Sequence, residues 1–333
     1  MKILVTGADG QLASCIKKVC EYSGYNHIEN RDYSGYNHIE NRDFSWDIYR
    51  HQKYPFHNEY HFLSRRHLDI TRTENIDEIF RTIEPDIVVN CAAYVDTNEA
   101  EKNPQIPLQV NTGGAMNLSN ACLERNAKLI HISTEFVFDG ESNSPYKEDD
   151  ECNPINVYGR TKFYGERIIK DTNPNAIIIR TSWLYSEYGN NFLTKTIRAL
   201  VSANDSKKQL KFVVDEIGCP TYAIDLAAFI VNMIEKNDLS HCGIFHFTDV
   251  GVASRYDFAK EIERLYYSDI AGGTNIIMPC SGDEFNSTIK RPKNSMLDCS
   301  LVDKTFYNGK NNGRRPYWRD ALKVCISEVK RVY

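Results

Sequence analysis

The sequence predicts an α/β protein, a doubly wound parallel sheet that carries a smaller mixed α/β lobe. Three observations carry this expectation. Short β-branched runs alternate with helically periodic segments over most of the chain. The first run ends in a glycine turn that opens a helix, Thr6-Gly7-Ala8-Asp9-Gly10-Gln11-Leu12-Ala13. The 333 residues, 41% hydrophobic and 26% charged, are enough to bury a sizeable core.

Taken in order, the expected strands are Lys2 to Thr6, Tyr60 to Leu63, Asp86 to Asn90, Lys128 to Thr134, Ala176 to Thr181 and Gly243 to Thr248. Each is a run of Val, Ile and aromatic residues without proline, as a strand buried on both faces requires. Helical periodicity falls between them at Ile76 to Ile83, Met116 to Glu124, Tyr158 to Lys170 and Asp225 to Glu235. Beyond about residue 184 strand signals thin and Gly, Asn and Ser loops increase. Residues 1-183 are therefore read as a dinucleotide-binding domain to which 222-250 returns, and 184-221 with 251-333 as a substrate-binding lobe. One segment breaks the order, because Tyr22 to Asp32 is repeated unchanged as Tyr33 to Asp43. Two short copies cannot build a solenoid, so about 22-58 is read as a surface insertion, with an oligomer contact through its tyrosines as the alternative. His57 and His61 have metal-binding spacing but no evident third ligand, and no metal is expected.

A formal net charge of −5 provides no basic field for nucleic acid or an anionic membrane, and neither is expected as a partner. Ten cysteines without a Cys-x-x-Cys pair, several inside apolar runs, fit small buried side chains in a reducing cytoplasm.

The glycine turn at residue 7 lets a pyrophosphate approach backbone N–H groups at the positive end of a helix. This gives a Rossmann-like cofactor site at Gly7, Gly10, Gln11 and Leu12, with Ala13 small enough for close packing of helix on strand. At the end of the second strand, Arg65 and Arg66 can pair with a 2′-phosphate, which favours NADPH. Solvated arginines on a loop are the alternative, and NADH stays open. Asp69 and Ile70 are expected further along the same cofactor edge.

Tyr158-Gly-Arg-Thr-Lys162 has the spacing of a proton donor and its tuning cation one helical turn apart. The spacing alone decides nothing, since Tyr256 and Lys260 repeat it. The second pair sits in an amphipathic helix without an upstream hydroxyl pair, whereas Ser133-Thr134 closes the strand that precedes Tyr158. Hydride reaching a ketone leaves charge on oxygen, so a hydroxyl must supply a proton there. Bringing a tyrosine from a pKa of about 10 toward neutrality takes roughly 4 kcal/mol. A cation about 4 Å away supplies that at an effective dielectric near 20, and Lys162 is expected to do so.

Together with Asn90-Cys-Ala-Ala-Tyr94, Ser133-Thr-Glu-Phe-Val-Phe-Asp-Gly140, Pro154 to Lys162, Arg180 to Tyr185, Gly189 to Phe192, Asp215 to Thr221 and Arg291-Pro292, these motifs resemble the dTDP-4-dehydrorhamnose reductases. That family belongs to the extended short-chain dehydrogenase/reductases. The resemblance implies NAD(P)H-dependent reduction of the 4-keto group of dTDP-4-dehydro-L-rhamnose to dTDP-L-rhamnose for cell-surface polysaccharide. It gives Tyr158, Lys162 and Thr134 the chemistry, with Lys162 also holding the nicotinamide ribose and Thr134 the substrate oxygen. It adds Ala92, Ala93 and Tyr94 to the cofactor site, and Glu135, Trp183 and Arg291 to the nucleotide-sugar site, while leaving room for a homodimer. Core packing competes for Trp183, a solvated surface position for Arg291, and a helix N-cap for Asn111. Glu135 departs from the aspartate usual in the family, one methylene longer and shifting a carboxylate by about 1.5 Å. Two alternatives follow: a reductase or epimerase of another nucleotide-linked keto-sugar, and a non-catalytic NADP-binding regulatory subunit, like that of methionine adenosyltransferase.

Overall fold

The computed structural model describes residues 1–24, 58–270, 274–284, 289–307, 309 and 315–332. Most of the duplicated segment, and His57 with it, lies outside the described residues.

Six strands form the central sheet: β1 (Lys2–Thr6), β2 (Glu59–Leu63), β3 (Ile87–Asn90), β4 (Lys128–Thr134), β5 (Ile177–Thr181) and, later in the chain, β10 (Gly243–His246). Their order is β10-β5-β4-β3-β1-β2 and every pairing is parallel. Each expected strand is present, β1 and β4 with the expected bounds and the other four with one end moved by a residue or two. Alternate side chains along a strand leave on opposite faces. Ile3, Val5, Val89, Ile130 and Ile179 therefore enter one core, and Leu4, Val88, Leu129 and Ile178 the other.

Ten helices are labelled here in chain order: α1 (Gln11–Gly24), α2 (Thr73–Ile83), α3 (Thr97–Lys102), α4 (Ala115–Glu124), α5 (Val157–Thr172), α6 (Phe192–Ser206), α7 (Ala223–Glu235), α8 (Arg255–Tyr266), α9 (Ser300–Phe306) and α10 (Trp318–Val332). Residues of α1, α6, α7, α8 and α10 fill the first core, and residues of α2, α4 and α5 the second. Apolar surface removed from water on both sheet faces is the main stabilising term.

Short strands occupy the region where strand signals thin: β6 (Leu184–Tyr185), β7 (Leu210–Val213), β8 (Ile217–Gly218), β9 (Thr221–Tyr222), β11 (Ala253–Ser254), β12 (Ile277–Cys280) and β13 (Asn294–Ser295). They pair as β6 with β9, β7 with β12, and β8 between β11 and β13. Two-residue strands leave too little periodicity to be read from sequence.

Candidate active site

Strand order reverses between β1 and β3, and open sheets of this kind bind ligands beyond the carboxyl ends of the strands at such a point. Gly7 leaves β1 with φ +67°, and a Cβ there would lie 2.9 Å from both N and Cα of Ala92, just past β3. Only glycine allows this approach. The Gly10 N–H donates to the Gly7 carbonyl at 2.8 Å and α1 begins at Gln11, so its first N–H groups face the crevice end of the sheet. Leu12 is buried in the core. The Gln11 side chain is already held, donating to the Leu184 carbonyl at 3.3 Å and accepting from Asn191 at 3.2 Å. Both residues thus offer a ligand their backbone.

Beside this turn the Ala8 N–H donates to the Leu63 carbonyl at 3.2 Å, which brings the end of β2 alongside. Arg65 and Arg66 are exposed, and Arg65 Nε lies 3.5 Å from Asp69 Oδ2. Burial works against the Asp69 carboxylate, but hydrogen bonds from Thr71 and the Arg65 charge hold it below its ordinary pKa. Ile70 is buried.

A buried polar chain runs across the crossover. The Thr6 hydroxyl donates to Asn90 Oδ1 at 2.7 Å, and the Ala92 N–H reaches the same oxygen at 3.2 Å. An N–H can only donate, so the Asn90 oxygen faces Ala92 and its amide nitrogen faces His131 Nδ1 at 3.0 Å. This assigns the His131 proton to Nε2, which lies 3.3 Å from Lys162 Nζ. Burial, then Lys162, keeps the imidazole pKa well below its ordinary value. Lys162 donates to the Ile132 carbonyl at 2.6 Å. Burial pushes Lys162 down to about 8, against the attraction of Glu166 and Cys91. Glu166 itself is locked to Arg180, whose Nη2 lies 2.7 Å from Glu166 Oε2, with both side chains 2% exposed.

Asn111 corrects the expectation of an N-cap. Helix is already under way at Gln105–Pro107, and Leu108–Gly114 is a π-helical stretch that runs into α4, so Asn111 sits inside it. Its Oδ1 accepts from the Tyr94 N–H at 2.8 Å, and its Nδ2 donates to the Tyr94 carbonyl and to Thr161 Oγ1, both at 3.1 Å. It therefore clamps the Ala92-Ala93-Tyr94 loop to α5.

At the end of β4 the Thr134 hydroxyl donates to Glu135 Oε2 at 2.7 Å and accepts from the Phe136 N–H at 3.2 Å. Asn156 caps α5 through the Gly159 N–H at 2.8 Å, which sets Tyr158 in the first turn. A Cβ on Gly159 would come within 2.1 Å of the Phe136 carbonyl oxygen, so glycine here lets the helix end press on the turn after Thr134. The Tyr158 ring packs edge-on against Phe136, and the Thr134 hydroxyl contacts its phenol. Thr134 and Tyr158 are therefore brought together, with Lys162 one turn further along α5. The electrostatics differ from the expected lowering by Lys162: burial, then Glu135, raises the phenol pKa, and only the Thr134 hydrogen bond opposes them. The ammonium is instead turned onto Ile132 and His131.

Glu135 is 3% exposed. Burial raises its pKa to about 6, against hydrogen bonds from Thr134 and backbone groups and the charge of Arg255. Arg255 was not legible in the sequence. It lies at the start of α8, 3.6 Å from Glu216 and stacked 3.6 Å over the Trp183 ring. Burial first, together with the Arg291 charge, lowers the Arg255 pKa to about 10, while Glu216 and Glu135 oppose the shift. Trp183 is 8% exposed, has φ +46°, and donates to Ser295 Oγ at 3.1 Å. His131 was also missed, although a histidine in the apolar run Leu129-Ile-His-Ile132 is a readable sign of a buried polar group. The second Tyr-x-x-x-Lys pair has its Lys260 tied to Glu263 at 2.7 Å and Asn275 at 3.1 Å.

A family model described as RmlD substrate binding domain matches residues 1–331. A dTDP-4-dehydrorhamnose reductase of Sinorhizobium fredii is 36% identical over 268 residues, 79% of this chain and 87% of that one. Among solved structures, a dTDP-4-dehydrorhamnose reductase of Clostridium acetobutylicum is 33% identical with a TM-score of 0.79, covering 99% of this chain and 100% of its own. The same enzyme of Bacillus anthracis, solved in complex with NADP, is 29% identical with a TM-score of 0.77, covering 98% and 99%. With the match running nearly end to end, the chain belongs to the RmlD substrate-binding-domain family, alongside these reductases.

Proposed function

We propose that the protein is an NADPH-dependent reductase of dTDP-4-dehydro-L-rhamnose, yielding dTDP-L-rhamnose for cell-surface polysaccharide. The observation that carries this is the convergence of Thr134, Tyr158 and Lys162 beside the crevice that Gly7 opens between β1 and β3. The bound nicotinamide supplies a hydride. Tyr158 gives its proton to the carbonyl oxygen that becomes the hydroxyl, Thr134 holds that oxygen, and Lys162 holds the ribose. At the turn built by Gly7 and Gly10, the N–H groups of Gln11 and Leu12 receive the pyrophosphate, Arg65 and Arg66 take the 2′-phosphate, and Asp69, Ile70, Ala92, Ala93 and Tyr94 line the remaining cofactor edge. Glu135 and Trp183, from residues 1-183, and Arg291, from the lobe of residues 184-221 and 251-333, face the nucleotide sugar. The ten free thiols support a reducing cytoplasm. Among the described residues no helix is long and apolar enough to cross a membrane. A reductase of another nucleotide-linked keto-sugar is the second reading, favoured by the longer carboxylate at Glu135. NADPH oxidation with dTDP-4-dehydro-L-rhamnose tests the first. Tyr158→Phe is expected to lose roughly 10²- to 10⁴-fold in kcat while still binding NADPH. Turnover confined to a different keto-sugar overturns the substrate assignment.

A further inference from the structure

A hydroxyl has one hydrogen, and that of Thr134 is spent on Glu135 Oε2 at 2.7 Å. One lone pair of the same oxygen accepts from the Phe136 N–H at 3.2 Å, and the remaining side meets the Tyr158 phenol. While Glu135 is a carboxylate, the Thr134 hydrogen stays on Glu135 Oε2 and is available neither to Tyr158 nor to a substrate oxygen. Protonation of Glu135 reverses the direction: the carboxyl donates to Thr134, and the Thr134 hydrogen turns toward Tyr158 and the reacting carbonyl.

We infer that Glu135 is the acid that reloads Tyr158, acting through the Thr134 hydroxyl. The inference rests on the reductase reading above and adds a source for the proton that the reaction consumes. As the nicotinamide hydride donor reduces the ketone carbon, the Tyr158 O–H breaks and the product O–H forms. Tyr158 then takes the Thr134 hydrogen, and Thr134 takes the Glu135 proton. Tyr158 and Thr134 end unchanged, and Glu135 ends as a carboxylate, to be reprotonated from solvent between turnovers.

The surroundings suit a carboxyl that exists in both forms. Around it stand Thr134 and Tyr158 from β4 and α5, Arg255 from the start of α8, the Trp183 backbone N–H, and Cys219 in the segment between β8 and β9. Burial raises the pKa, while Arg255 and the hydrogen bonds restrain the rise, so that Glu135 titrates near 6.

The test compares wild type, Glu135→Gln and Glu135→Asp with NADPH and whichever nucleotide keto-sugar the wild type reduces, following kcat against pH. Wild-type kcat should fall as pH rises through the Glu135 ionisation. Glu135→Gln, which keeps the shape and a hydrogen bond to Thr134, should lose that ionisation and roughly 10²-fold or more in kcat. Glu135→Asp should retain the ionisation at reduced rate. Infrared difference spectra of the unliganded protein give a second readout, a protonated carboxyl band absent from Glu135→Gln that titrates with the same midpoint as kcat. A Glu135→Gln variant that keeps the wild-type pH profile, or loses the same factor at every pH, overturns the inference. The choice of sugar that the wild type reduces judges the reading of the substrate separately.

Discussion

Lys162 Nζ stands 3.3 Å from His131 Nε2, the ring nitrogen that carries the proton once Ala92 has fixed the orientation of Asn90. Burial lowers the Lys162 pKa to about 8, against the attraction of Glu166 and Cys91. If the ammonium holds the cofactor ribose, the NADPH Kd should be flat below that pH and rise above it, approaching tenfold per unit. His131→Leu, which makes the surroundings more apolar, should move the rise to lower pH. Fluorescence titration of NADPH across the alkaline range reads both, and a Kd without pH dependence there contradicts the assignment.

Asn111 makes two hydrogen bonds to the Tyr94 backbone and one to Thr161. At about 1 kcal/mol each, Asn111→Ala should cost about 2–3 kcal/mol in urea unfolding. It should also weaken NADPH binding, because the Ala92-Ala93-Tyr94 loop loses its clamp. Unchanged NADPH affinity would show that this loop does not contact the cofactor.

Gly159→Ala places a methyl into the space of the Phe136 carbonyl oxygen. Overpacking of this kind costs roughly 1–3 kcal/mol, and here the strain is released by moving the first turn of α5 and Tyr158 with it. Steady-state kinetics should therefore show kcat reduced much more than KM is raised.

Arg180→Met leaves the Glu166 carboxylate buried without its cation, a change expected to cost about 3–5 kcal/mol. Adding Glu166→Gln should recover part of that loss. Thermal unfolding of the single and double variants measures the coupling, and strictly additive losses would contradict it.

Asp225 in the first turn of α7 is buried, and neither of its carboxylate oxygens has a partner among the described residues. Burial raises its pKa to about 8. Asp249, raised by burial and then by Asp225, accepts from the Tyr222 N–H at 2.9 Å. A carboxyl with a raised folded-state pKa contributes stability that is complete below the unfolded value of about 3.9 and is lost as pH rises toward the folded one. Wild-type stability should thus decline between about pH 4 and 8, and Asp225→Asn should flatten the decline. Urea midpoints measured across that range decide it.

Most of the central sheet was legible because strand and helix periods are local properties: Lys128 to Thr134 was read from its own side chains, and so was the glycine turn at residue 7. Tyr158 could be preferred over Tyr256 because Ser133-Thr134 and the N-terminal turn are themselves short patterns. By contrast, the π-helical setting of Asn111 depends on which backbone atoms lie opposite, and its own neighbours in sequence suggested only a helix start. The same holds for Arg255, which no pattern distinguishes from any arginine at a helix start, yet which reaches Trp183 and Glu135 from a distant part of the chain.

Sequence by itself determined the parallel α/β architecture and the crevice turn, and it singled out the residues proposed to react, since each follows from the order and type of residues close together in the chain. Only the tertiary structure decided protonation and direction. Whether Lys162 faces Tyr158 or His131, and which way the Thr134 hydrogen points, are settled by burial and by partners brought from other strands and helices. Desolvation and a single hydroxyl hydrogen are properties of an enclosure, and an enclosure exists only once the chain has folded.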